Sequence, residues 1–140
     1  MTPIDELEGA GLARAVAEAR GWHPEPPLRG ACGWYWADGD VGMIGVEDYR
    51  PDKDIAQSWE LQDEIEAESQ HDGQRWWEWP SPMARYVDAL CDVCGVVHEA
   101  EDVAEWYDGW QMTYLGMWML IHATPEQRCR AYIKAKEAEG

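Results

Sequence analysis

Residues 34–46 read WYWADGDVGMIGV and decide the fold class of this chain. Two runs of aromatic or aliphatic residues flank the acidic turn Asp38-Gly39-Asp40. A glycine between two such runs is typical of a β-hairpin, because tight turns need backbone conformations that glycine adopts easily. The sequence therefore predicts two antiparallel strands within residues 31–46.

Upstream of the hairpin, residues 9–20 show the apolar spacing of a helix, and Gly21 suits the left-handed position that often ends one. The predicted buried face consists of Leu12, Ala13, Val16 and Ala17. Residues 22–29 include three prolines, which remove backbone donors and favour an extended connection. We expect a loop there.

Downstream of the hairpin, a second helix is predicted to start after Pro51 and to run to about Glu68. Asp52 is the expected N-cap, and Asp54 lies in the first turn, where the helix dipole favours an anion. Steps of 100° per residue place one set of side chains on a common, inward arc. These are Ile55, Ser58, Trp59, Leu61, Gln62 and Ile65.

Two more helices have clear N-terminal signals. Ser81-Pro82 places a cap before a proline in the first turn and predicts a helix that runs to Gly95. Thr124 and Gln127 form a capping box for a C-terminal helix whose buried stripe is Cys129, Tyr132 and Ile133. Between them we expect a short helix at 99–107 and a buried strand at 110–122.

Length and pattern together predict one α+β domain spanning residues 1–140. Its expected architecture is a small, mostly antiparallel sheet flanked by three to four helices. No apolar run approaches the roughly 20 residues that cross a bilayer. The acidic N-terminus lacks the features of an export signal, so we expect a cytoplasmic protein with reduced cysteines and no membrane partner.

The net charge of −17, from 28 acidic and 11 basic residues, limits what the chain can bind. Nucleic acids and anionic membranes repel such a surface, whereas a basic protein surface attracts it. On the second helix, the carboxylates expected to face outward are Glu60, Asp63 and Glu64. Glu60 and Glu64 are like charges four residues apart, a pairing that does not help a helix to form.

Three stretches resemble one family of small bacteriophage proteins. They are ELEGAGL at 6–12, YRPDKDIAQ at 49–57 and ATPEQRCRAYIKA at 123–135, in the same order and at the same spacing. In these stretches the chain is similar to the NinX-like proteins and the related phage α-β-α sandwich domain. The resemblance implies a phage origin and a mixed sheet flanked by helices, and it implies no activity or cofactor.

One spacing is typical of a metal site: Cys91-x2-Cys94-x3-His98. Two thiolates this close can share a tetrahedral zinc ion, with His98 as a third ligand. The opposing interpretation is that both cysteines continue the apolar stripe of a capped helix, where cysteine acts as a small hydrophobic residue. We favour the second interpretation, and no catalytic signature points to an enzyme.

The sequence therefore favours a non-enzymatic phage accessory protein that binds and inhibits a host protein in the bacterial cytoplasm. The expected partner is a basic surface, such as that of a nucleic-acid-binding complex, which an acidic surface would occupy in place of nucleic acid. The predicted contacts are Glu60, Asp63, Glu64, Glu101, Asp102 and Glu105, with Trp76 and Trp77 as apolar anchors. The alternatives are a zinc-binding or hydrolytic protein and an assembly protein, and a homo-oligomer stays open.

Overall fold

The computed structural model describes residues 6–27, 33–71, 81–94 and 121–139. These residues form four helices and one three-stranded antiparallel sheet, which confirms the predicted α+β class. In chain order the elements are α1 (Gly9–Ala19), β1 (His23–Glu25), β2 (Tyr35–Asp38), β3 (Val41–Gly45), α2 (Ile55–His71), α3 (Pro82–Val93) and α4 (Pro125–Glu139).

The predicted hairpin is confirmed. β2 pairs with β3 in antiparallel register, with Asp38 opposite Val41 and Trp36 opposite Ile44. Gly39 in the turn has a φ of +60°, a conformation that glycine adopts without a steric penalty. A register shift after Trp36 marks a bulge, which strengthens the local twist of the pair.

The loop predicted at residues 22–29 is wrong in part, because His23–Glu25 forms the third strand. β1 pairs with β2 at one edge of the sheet and places Pro24 opposite Trp36. An edge strand accepts proline because one of its two sides has no neighbour that needs a donated hydrogen bond. The prolines indicated a break in regular structure, but pairing with β2 makes residues 23–25 a strand of the sheet.

α1 agrees with its prediction. Its buried residues are the four expected ones, and Arg20 and Gly21 end it, with a φ of +85° at the glycine. The predicted start of α2 is wrong by two residues. Asp54, and not Asp52, caps the helix, since its Oδ1 accepts a hydrogen bond of 3.0 Å from the backbone amide of Gln57. Asp52 instead accepts two hydrogen bonds from Arg50.

The caps predicted for the last two helices are confirmed. The Ser81 hydroxyl accepts a hydrogen bond from the amide of Ala84 at 3.1 Å. Thr124 and Gln127 bond reciprocally: each side chain accepts from the other residue's backbone amide, at 3.1 and 2.9 Å. Both signals are local, which is why the sequence was sufficient to find them.

The described core is built around α4, which packs against α1, α2 and α3. One hydrophobic cluster joins Leu12 of α1, Leu61 of α2, Leu90 of α3 and Tyr132 of α4, and Trp36 links the sheet to it. All five side chains are at most 1% exposed. Close packing of this kind fixes the helices relative to one another and so determines which faces meet the solvent.

Several predicted elements lie outside the described residues: the Trp-rich run at 75–79, the helix at 99–107 and most of the strand at 110–122. The last two residues of that predicted strand, Ile121 and His122, have helical backbone geometry, so the strand does not extend to them. Within the described part of the chain, the helices are too short or too polar to cross a bilayer.

Candidate protein-binding surface

α2 contains five carboxylates and no lysine or arginine. Its buried arc comprises Ser58, Leu61, Gln62, Ile65 and Ser69. Four of these were predicted to face inward, whereas Ile55 was predicted to be buried and is 62% exposed. Ile55 is the first residue of the helix, where the adjoining body of the protein does not cover it.

Three carboxylates form what we call the outer row of α2: Glu60, Asp63 and Glu66. All three residues are exposed. Within the described part of the chain, no ion pair or hydrogen bond involves their side chains. Successive members are three residues apart, so the row winds slowly around the helix and presents three unpaired negative charges to solvent.

The remaining two carboxylates of α2, Glu64 and Glu68, form what we call the inner pair. Glu64 Oε1 lies 3.5 Å from Arg20 Nε, and Glu64 Oε2 accepts a hydrogen bond from the hydroxyl of Tyr132. Glu68 accepts a hydrogen bond from Lys136 of α4. The prediction that Glu64 faces outward with Glu60 and Asp63 is therefore wrong. Glu64 lies beside the buried arc, where α1 and α4 supply its partners.

The surroundings of Glu64 form a compact polar network. Arg20 donates to the Tyr49 hydroxyl at 3.1 Å, and its guanidinium stacks 4.2 Å from the ring centre of Trp22. Burial raises the pKa of Tyr49 to about 12, although the hydrogen bond from Arg20 opposes this shift. Burial and the hydrogen bond to Glu64 also raise the pKa of Tyr132. Both phenols therefore stay neutral at physiological pH.

A second network, around Arg128, was not anticipated from the sequence. Arg128 is 2% exposed, donates to the Gln62 side chain at 3.0 Å and to the Ser58 hydroxyl at 3.3 Å, and stacks 4.4 Å from the ring centre of Trp59. The Tyr86 hydroxyl donates to the same Gln62 oxygen at 2.8 Å. Ser58 and Gln62 on the predicted inward arc were the available signal, because buried polar groups need polar partners.

These two networks hold α2 in one orientation. Arg20 and Lys136 bind one flank of the helix, and Arg128 binds its buried arc. The outer row is thereby fixed on the side of α2 that faces away from its buried arc. The outer row is exposed because of the way in which α2 packs against α3 and α4.

The cysteines of the alternative zinc site lie on α3. Cys91 is buried, and Cys94 is exposed at the end of the helix. Burial raises the pKa of Cys91 to about 12 and also raises the pKa of Cys94, so without a metal ion the protonated thiols are favoured. The described residues contain no group of three potential ligands, and His98 lies outside them.

The other predicted contacts lie outside the described residues. They are Glu101, Asp102, Glu105, Trp76 and Trp77. Of the predicted surface, the structure therefore describes Glu60 and Asp63, which are exposed, and Glu64, which is paired inside the fold. Glu66 was not among the predicted contacts, although it falls on the same exposed side of α2.

No family model, curated protein or solved structure matches this chain. The resemblance to the NinX-like proteins therefore stays a prediction from the three stretches that carry it. A function for the chain has to come from the chemistry of its own surface.

Proposed function

We propose that this protein is a phage accessory protein without catalytic activity that binds a basic surface of a bacterial protein and inhibits it in the cytoplasm. The outer row of α2 is the centre of the proposed contact. The partner is proposed to be a nucleic-acid-binding protein or complex, because its basic surface already accommodates a row of negative charges.

The proposal rests on one observation from the described part of the chain: the carboxylates on one side of α2 are paired with cations, and those on the other side are not. Glu64 and Glu68 have cationic partners from α1 and α4, whereas the three carboxylates of the outer row have none among the described residues. Like charges at three- and four-residue spacing destabilise a helix slightly. These carboxylates do not help the protein to fold, and they are available to a partner. Both properties are expected of a charged binding surface.

The spacing of the outer row is compatible with replacing nucleic acid. Residues three apart on a helix are separated by about 4.5 Å along its axis. Phosphates of one DNA strand follow one another every 3.4 Å or so along the duplex axis. Glu60, Asp63 and Glu66 therefore present three charges whose axial step is about a third longer than that of a phosphate row, a difference that flexible lysine and arginine side chains can accommodate.

Binding through exposed charges depends measurably on salt concentration. Exposed charges act mainly through long-range attraction and a faster association rate, and salt screens both effects. We therefore expect tight binding at low ionic strength and release at high ionic strength. A complex held together by apolar contacts alone would respond weakly to salt.

The test uses affinity capture from a bacterial lysate with three forms of the full chain. One is the wild type, one is the outer-row variant Glu60→Gln, Asp63→Asn, Glu66→Gln, and one is the hairpin variant Asp38→Asn, Asp40→Asn, Glu47→Gln. Asp38 and Asp40 flank Gly39 in the hairpin turn and Glu47 follows β3; all three are exposed, so both variants lose three surface charges. Net charge is then matched, and only the position of the lost charges differs.

The proposal requires three results together. Nucleic-acid-binding proteins are captured by the wild type and by the hairpin variant, the outer-row variant loses them, and added duplex DNA or high salt elutes them. Equal capture by the outer-row and hairpin variants would show that α2 is not the contact. Capture of virion proteins, whatever the salt concentration, would support the assembly alternative instead.

A further inference from the structure

A cavity of about 250 Å³ lies between α1, the sheet and the loop that leads from β3 to α2. Its deepest lining comes from Ala13, Trp36 and Tyr49, which are at most 3% exposed. Val46 contributes a further apolar wall. The outer row and the inner pair of α2 do not line the cavity, so it is separate from the proposed contact surface.

Two arginines border this apolar cavity, Arg14 of α1 and Arg50 of the β3–α2 loop. Arg50 is held by Asp52, which accepts from its Nε and Nη2 at 2.9 Å each and whose side chain is 5% exposed. Arg14 donates through its Nε to Glu18 at 3.1 Å. Within the described part of the chain, Nη1 of Arg50 and both Nη atoms of Arg14 make no hydrogen bond.

We propose that this cavity binds a small apolar carboxylate. Its apolar body would pack against Trp36, Tyr49 and Val46, and its carboxylate would accept hydrogen bonds from the guanidinium groups of Arg14 and Arg50. Arginine and carboxylate form short, charge-assisted and often paired hydrogen bonds, which makes this group the best match for the cavity's donors.

The size of the cavity limits the ligand. At roughly 30 Å³ for each water molecule in the liquid, it has the volume of about eight waters. A ligand with about eight non-hydrogen atoms, such as hexanoate, fits this volume. Asp52 adds orientation, because it fixes the plane of the Arg50 guanidinium before any ligand arrives, and a donor fixed in advance loses less entropy on binding.

Salt should affect binding in the cavity differently from binding at the outer row of α2. The net charge of −17 repels an incoming anion at long range. Arg14 and Arg50 are each paired with a carboxylate, so the attraction comes from their remaining N–H donors at hydrogen-bond distance. Added salt screens the repulsion first, because close contacts in a partly desolvated site are screened less. Carboxylate binding should therefore tolerate salt that dissolves the proposed α2 contact, and the two proposals fail independently.

The first test is titration of isotopically labelled full-length protein, followed by NMR. Hexanoate is expected to shift the amides of Ala10, Gly11 and Val46 and the Trp36 indole N–H in a saturable way. Hexanamide, with the same shape and no charge, should bind roughly tenfold more weakly or worse. N-acetylglycine also has eight non-hydrogen atoms; tighter binding than hexanoate would support a peptide C-terminus as the source of the carboxylate, and weaker binding would support a free acid. Absence of saturable shifts with any carboxylate at millimolar concentration would overturn the proposal.

The second test uses variants. Arg50→Gln should weaken hexanoate binding about tenfold, by loss of a charged donor. Arg14→Gln should weaken it less, by about two- to threefold, because the Arg14 side chain is 64% exposed and solvent screens its interaction. Lys53→Gln removes the same charge from a residue that does not line the cavity and should leave binding unchanged. Ala10→Leu places an apolar side chain in the cavity opening, retains both arginines and should abolish binding. Wild-type affinity in the Ala10→Leu variant would refute this location, whether or not the arginine variants fold.

Discussion

Neutralising the outer row of α2 should stabilise the fold while it abolishes the proposed binding. The perturbation is the triple variant Glu60→Gln, Asp63→Asn, Glu66→Gln. None of these side chains makes an ion pair or hydrogen bond within the described residues, so no contact is lost. Each replacement keeps a similar size and a similar helix propensity, so charge is the property that changes.

The magnitude follows from the positions of the charges. The variant removes the like-charge pairs Glu60–Asp63, Asp63–Glu66 and Glu60–Glu64, each of which costs a few tenths of a kcal/mol. Their removal should raise the free energy of unfolding by about 1 kcal/mol at low salt. The net charge becomes less negative, from −17 to −14. The weaker self-repulsion also raises the free energy of unfolding.

The inner pair provides a control on the same helix. Glu64→Gln with Glu68→Gln removes two charges of the same kind, but these carboxylates bind Arg20, Tyr132 and Lys136. Their side chains are 31% and 35% exposed, so solvent screens part of each interaction. We expect this variant to lose about 1 kcal/mol, with the opposite sign to the outer-row variant.

The assay is urea unfolding, with the free energy extrapolated to water, at low salt and in 1 M NaCl. At 1 M the Debye length is about 3 Å, so the gain of the outer-row variant should disappear. The reasoning would be refuted if the outer-row variant were destabilised at low salt, since the carboxylates would then have partners within the fold. A gain that persists in 1 M NaCl would refute the electrostatic cause.

Four other predictions concern local structure and ionisation. Thr124→Ala should lower the free energy of unfolding by about 1 kcal/mol in urea unfolding, because the cap of α4 is lost, while Thr124→Ser should retain most of it. Gly11→Ala should raise it by about 0.5–1 kcal/mol, since alanine is the better helix former and an added Cβ would have its nearest neighbour at 3.8 Å; a loss of stability would contradict this. The folded pKa values of Tyr49 and Cys91, both about 12, exceed the ordinary values of 10.0 and 9.0, so the protonated forms are favoured by folding. Stability should hold below pH 9 and fall as the pH rises towards 12, measured by unfolding across this range, because the unfolded chain ionises first. In the native protein a thiol reagent should modify the exposed Cys94 before the buried Cys91, and the reverse order would argue against the burial of Cys91.

The local elements of the fold were predictable because their causes are adjacent in sequence. Thr124 and Gln127 cap α4 within one turn, and Ser81 does the same for α3. The hairpin follows from Gly39 and the runs on either side of it. The predicted start of α2 was wrong, because Asp52 accepts hydrogen bonds from Arg50 and Asp54 caps the helix instead.

The pairings between distant segments were not predictable in the same way. β1 forms because β2 lies beside it and supplies hydrogen bonds, which the local sequence around Pro24 does not indicate. The cavity depends on how α1 and the β3–α2 loop meet, so Arg14 and Arg50 were not recognised as neighbours of one site. In each case the deciding contact joins residues far apart in the chain.

The sequence by itself determined the α+β class, the caps of α3 and α4, the excess of negative charge and its concentration on α2. Only the tertiary structure decided which of those charges are available to a partner. Helical period places Glu64 near Glu60 and Asp63, but Arg20 and Tyr132 come from α1 and α4 and turn Glu64 into an internal contact. The physical reason is that burial and pairing are set by the packing of helices, whereas periodicity describes one helix alone.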